Sequence, residues 1–160
     1  MGGERVTQNR IDGSRQIKDY SITSIKMAVG ALLEDSRVQA VFTSTTLNPQ
    51  AEQQSTLILG TGFRLLKIEV SGPARVRLYA TVAHQTADAA RILGATPRKD
   101  HGLIFEFVSS STCLAAATSP VVHGYSMETL TDVDCPISVQ NLDTIAATVV
   151  VTLTNIITEV

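Results

Sequence analysis

The stretch FRLLKIEVSGPARVRLYAT, residues 63–81, decides the fold. Its first eight residues alternate, with Leu66, Ile68 and Val70 on one face and Lys67 and Glu69 on the other. SGP at 71–73 supplies a turn. ARVRLYAT then alternates again, with Val76, Leu78 and Ala80 opposite Arg75, Arg77 and Tyr79. A period of two on both sides of a turn reads as two strands and not as a helix.

The same signal extends in both directions. AVFTSTTL (40–47) and STLILG (55–60) read as short strands around the turn-forming NPQAEQ. GLIFEFVS (102–109), PVVHGY (120–125), PISVQN (136–141) and the long IAATVVVTLTNI (145–156) complete a set of about eight strands. The last of these places Val149, Val151 and Leu153 on one face and Thr148, Val150, Thr152 and Thr154 on the other. A strand this apolar is expected inside a sheet, because an unpaired one invites aggregation. TADAARILG (86–94) is the one helix-like insert, expected as a turn or two within a long loop. Eight short strands without long helices between them predict an all-β fold, an antiparallel jelly-roll β-sandwich over residues 40–160.

Residues 1–39 differ in character, with dense charges of both signs. SITSIKMAVGALLED (21–35) carries the only sustained helical spacing: Ile22, Ile25, Val29 and Leu32 form a single apolar stripe. Ser21 or Thr23 can cap its start. A short helix with one stripe is marginal alone and needs a partner surface. Residues 1–39 are therefore expected to be an N-terminal arm that anchors or oligomerises, with Ile22, Ile25, Val29 and Leu32 as the contact residues.

Composition narrows the function classes. The chain has 160 residues, 44% hydrophobic and 18% charged, enough to bury a core. A net charge of −2 does not suit a coat for nucleic acid or an anionic membrane. The longest apolar run, TIAATVVVTL, is too short to span a bilayer. Cys113 and Cys135 have no second ligand at a metal spacing, and both are expected to be buried free thiols.

Tests for chemistry give little. His84, His101 and His123 lie in or beside expected loops without a paired-ligand spacing. GTGF at 60–63 lacks the rest of a phosphate loop, and no G-x-S-x-G elbow occurs. Asp132 and Asp134 are two apart but lack the remainder of a calcium loop. Neither a catalytic residue nor a cofactor nor a metal is expected. The stretch RVRLYATVAHQTADAAR (75–91) is the one concentration of polar function. Arg75, Arg77 and Tyr79 share a strand face, and two guanidinium forks there can grip a phosphate or carboxylate. Asp88 and Arg91 have the spacing of a local ion pair. With Glu69 on the neighbouring expected strand, these residues are expected to form Arg–carboxylate pairs that pin the loop to the sheet. A subunit interface is the second reading of the same residues. Without an aromatic platform or a basic surplus, they make a weak nucleic-acid signal.

At these residues a resemblance appears. KIEVSGPARVRLYAT, TADAAR and DHGLIFEFVS in that order, with SPVVHGY and ISVQNLDTIAATVVVTLTNI after them, resemble a β-sandwich module of bacteriophage virion proteins, often found at the end of tail-associated chains. The upstream GSRQIKDYSITSIKMAVGALLED is similar to connector segments that trimerise in phage fibre proteins. The resemblance carries no catalytic signature. It implies a non-enzymatic structural protein located in the virion, a homotrimer that contacts tail, baseplate or major capsid proteins. With only residues 1–39 ahead of the module, a short appendage is expected rather than a long fibre. A capsid decoration (cement) protein is the alternative. A carbohydrate-binding module for a host-surface glycan is a further one, poorly supplied because Trp is absent and aromatics are 4%.

Overall fold

The computed structural model describes residues 37–128 and 134–159. The expected arm helix, with Ile22, Ile25, Val29 and Leu32, lies outside the described residues, as does Asp132. The described chain is mostly β: β1 (Arg37–Leu47), β2 (Glu52–Ile58), β3 (Gly62–Val70), β4 (Ala74–Tyr79), the short helix α1 (Val82–Ala87), β5 (Leu103–Val108), β6 (Ala115–Tyr125), β7 (Asp134–Asn141) and β8 (Ala147–Glu159). They form two four-stranded antiparallel sheets in a sandwich-like arrangement, β1-β8-β3-β6 and β2-β7-β4-β5.

Alternation sends one face of each strand into a shared core. Phe42 of β1, Leu65 and Ile68 of β3 and Val149, Val151 and Leu153 of β8 meet Val76 and Leu78 of β4 and Ile137 and Val139 of β7. β8 has the expected two faces: Val149, Val151 and Leu153 are buried, whereas Thr148 is exposed and Val150, Thr152 and Thr154 are half-buried. It is interior to its sheet, between β1 and β3.

Several expectations are corrected. Leu66 does not share a face with Ile68 and Val70. The ladders from β3 to both neighbours shift between Leu65 and Lys67, and a bulge there sends Leu65 inward and leaves Leu66 half-buried. Opposite the same bulge, edge strand β6 carries the cis Ser119–Pro120 bond, where a proline costs no ladder hydrogen bond. The SGP turn carries the chain from one sheet to the other, so Glu69 is not on a neighbour of β4. It pairs with Lys67 on its own strand at 2.8 Å. The helix lies earlier than TADAARILG, over Val82–Ala87, because the Thr81 side chain accepts the His84 N–H and caps it. Both cysteines are free, but Cys113 is exposed and only Cys135 is buried.

Polar staples hold the strand ends. The buried Asn141 amide donates to the Leu47 and Ile145 carbonyls, and its oxygen accepts from Asp143 N–H, fixing the turn into β8. Ser44, at the bulge of β1, accepts the Val149 N–H. Gly124 is required by close approach: a Cβ there would come within 2.4 Å of the Phe63 ring.

Candidate functional site

β4 is buried on both faces, which the core alone does not explain. Its outward face lies beneath α1 and the loop that follows. Gln85 of α1 fastens that cover by donating to the Ile137 carbonyl at 2.7 Å and the Ser55 carbonyl at 3.3 Å. Beneath it sit Arg75 and Arg77, 1% and 0% exposed, with Tyr79 at 0%. Charged groups this deep must be paired and hydrogen-bonded.

The pairing is dense. Arg75 Nε donates to Glu106 Oε1 at 2.6 Å, and its Nη1 donates to the Arg91 carbonyl at 2.7 Å. Arg77 Nη1 donates to the Asp88 carbonyl and to Asp88 Oδ2 at 2.9 and 3.0 Å. Its Nη2 bonds Glu52 Oε2. Arg91 Nε lies 2.8 and 2.9 Å from the two Asp88 oxygens, and Arg91 Nη2 reaches Glu106 Oε2 at 2.8 Å. The Tyr79 hydroxyl donates to Asp88 Oδ2 at 2.6 Å, and the Arg77 guanidinium sits 5.8 Å from the Tyr79 ring centroid. Arg75, Arg77 and Arg91 are thus matched by Glu52, Asp88 and Glu106, with no charge left over.

Sequence reading brings together Arg75, Arg77, Tyr79, Asp88 and Arg91, and all five are members of this network, enclosed within one chain. It misses Glu52 and Glu106. Glu52 falls in a segment read as turn, but β2 begins at Glu52. Glu106 has a usable signal as the one charged residue of the apolar strand β5, although its partners, Arg75 and Arg91, are set by the tertiary register.

The electrostatics follow from this closure. Burial alone raises the Asp88 carboxyl, but hydrogen bonds from Arg91, Tyr79 and Arg77 outweigh it and hold the group below the usual carboxylate range. Glu106 is likewise lowered, burial being outweighed by Arg91 and Arg75. Burial, reinforced by the bond to Asp88, pushes the Tyr79 hydroxyl up. Burial pushes the Cys135 thiol up to about 12. Both shifts run opposite to what a nucleophile needs. His123 sits on β6 across from Arg64, away from the other two histidines. Among the described residues no group of three His, Cys, Asp or Glu is placed to hold a metal ion, and no helix is long and apolar enough to cross a membrane.

No protein-family model, curated protein or solved structure matches this chain.

Proposed function

We propose that the protein is a non-enzymatic structural component of a bacteriophage virion: a jelly-roll β-sandwich on an N-terminal arm, assembled as a homotrimer in a short tail-associated appendage. The observation that carries this reading is the order of the pairings. β1 pairs with β8, β2 with β7, β3 with β6 and β4 with β5, all antiparallel, as if one long hairpin had been rolled up. That order supports a double-sheet jelly roll, an architecture used by viral capsid and lectin domains. The step from architecture to virion is analogy, joined to the resemblance of the strand sequences.

The structural role is supported by how the polar residues are used. The one concentration of arginine, tyrosine and carboxylate is spent on internal pairs, and Tyr79 and Cys135 are buried in their neutral forms. Contacts between copies then fall to the arm and to the outer face of the β1-β8-β3-β6 sheet, where Val41 is 55% exposed among the described residues. Thr152 and Val150 lie beside it on β8. A semi-polar, β-branched surface of this kind suits a neighbour.

Light scattering on the full-length chain is expected to give three times the mass of one chain. A chain beginning at Arg37 is expected to stay folded at a lower mass. A full-length monomer refutes the trimer. Peptide mass spectrometry of purified particles is expected to find the protein, and its absence there removes the virion reading.

A further inference from the structure

The loop that covers β4 carries a second group of cations, and these have no partner among the described residues. Arg98 and Lys99 make no ion pair or hydrogen bond among the described residues, whereas Arg75, Arg77 and Arg91 are each paired. Both are exposed. They line a cleft of about 230 Å³ together with His84, Asp88, Asp100 and His101. A second cleft, of about 250 Å³, adjoins it and shares Asp88 and Arg98. The Asp88 oxygens are taken by Arg77, Tyr79 and Arg91. The charges left to the cleft are Arg98, Lys99 and the single carboxylate of Asp100, a positive balance.

The histidines are set in place by their inner nitrogens. His101 Nδ1 lies 2.8 Å from the Leu103 N–H, which can only donate. Nδ1 is therefore the bare nitrogen of the neutral ring, and Nε2 carries the proton and presents a donor. His84 Nδ1 is 2.7 Å from the Thr81 hydroxyl. Its ring packs so closely on Gly102 that a Cβ there would lie 2.2 Å from Nδ1, at a φ of +55°. Left-handed backbone at Asp100 (φ 60°) and Gly102 brings the segment against the His84 ring, next in sequence to the exposed Arg98 and Lys99. The lining of this one concavity includes a guanidinium, an ammonium and two imidazoles, and a group that suits such a lining is an oxyanion. Each cleft is smaller than the roughly 300–1,000 Å³ of sites that enclose a drug-sized ligand, which suits a small charged group.

We propose that the cleft formed by His84, Arg98, Lys99 and His101 binds an oxyanion, the phosphate or carboxylate of an acidic surface glycan. The glycan as source rests on the proposed outward-facing position in a virion; the oxyanion site itself does not. The test is an amide-shift titration of the full-length protein at low ionic strength with inorganic phosphate, with acetate, and with sodium chloride as the ionic-strength control. Phosphate or acetate is expected to give saturable shifts at residues 98–103, absent with chloride. The exposed double substitution Arg98→Ala, Lys99→Ala is expected to weaken binding at least tenfold, and His123→Ala, on the opposite sheet, to leave it unchanged. No saturable shift, an equal response to chloride, or undiminished binding by the double variant overturns the site. Saturable phosphate or acetate binding without retention of phosphorylated or uronic-acid polysaccharide overturns the glycan source alone. A virion assignment that fails while phosphate or acetate still binds leaves the oxyanion site standing.

Discussion

Arg77 shows what burial does to a charge. It is fully enclosed, and its two terminal nitrogens serve Asp88 on one side and Glu52 on the other. Desolvating three guanidinium–carboxylate sets costs about as much as their attraction returns, so the network is weak grounds for stability as such. Breaking it is another matter, because without Arg77 Glu52 loses its ion-pair partner while still largely enclosed, and Asp88 keeps only Arg91 and Tyr79. Arg77→Ala is expected to lower unfolding free energy by about 3–5 kcal/mol, read as a shifted urea midpoint at unchanged slope. A loss within the ~0.5 kcal/mol of an ordinary surface substitution would mean that the loop re-solvates freely. Cys135 supplies an independent residue-level check. An unfolded thiol ionises near 8.5, whereas this one is held neutral up to about 12. Its contribution is complete below ~8.5 and is lost as pH rises through the folded value. Thermal stability is expected to decline above ~8.5, and Cys135→Ala, at the cost of a small cavity, should delay that decline. An identical alkaline profile in the variant would assign the loss elsewhere.

At the scale of elements, the loop over β4 is tied to the sheet by carboxylates whose ionised forms are favoured. Asp88 and Glu106 are both lowered from their ordinary values, so the stability they contribute is present above the unfolded carboxylate range near 4 and is lost as pH falls through their lower folded values. Hydrogen exchange at residues 88–102 is expected to hold steady from neutral pH down to about 5 and to quicken below about 4, relative to the core strands. Acidification that loosens β8 first would contradict this order. The same elements show what the sequence could and could not say. Alternation in β4 and in β8 from Thr148 to Asn155 is legible because the strands are regular there. The bulge at Leu65–Lys67 is not, since it shows only in the register of β3 against both of its neighbours. Adjacency in sequence points Glu69 toward the network, but it is not adjacency in a sheet. The SGP turn instead changes sheets, and the strand carboxylates that join Asp88 come from β2 and β5. For the network itself, two arginines on an apolar strand announced that something must cover them. Which carboxylates answer depends on tertiary register.

For the whole molecule, the decisive element is the last one. β8 is central in its sheet, pairing with β1 on one side and β3 on the other. Its inward Val149, Val151 and Leu153 are 2%, 0% and 0% exposed. Burying each contributes roughly 1.5–3 kcal/mol, and together they approach the net stability of about 5–15 kcal/mol typical of a domain. A chain ending at Asp143 loses this burial and also the one strand that pairs with β1 among the described residues. It leaves β3 with a bare edge, Phe42 and Leu65 uncovered, and Ser44 without the Val149 N–H it accepts. An open, apolar edge of that kind templates association between chains. The truncated protein is therefore expected to be insoluble, or to bind a hydrophobic dye without a cooperative urea transition. A soluble product ending at Asp143 that unfolds in one sharp transition would show that the two sheets close without β8, and the assignment of this strand as the centre of its sheet would fall.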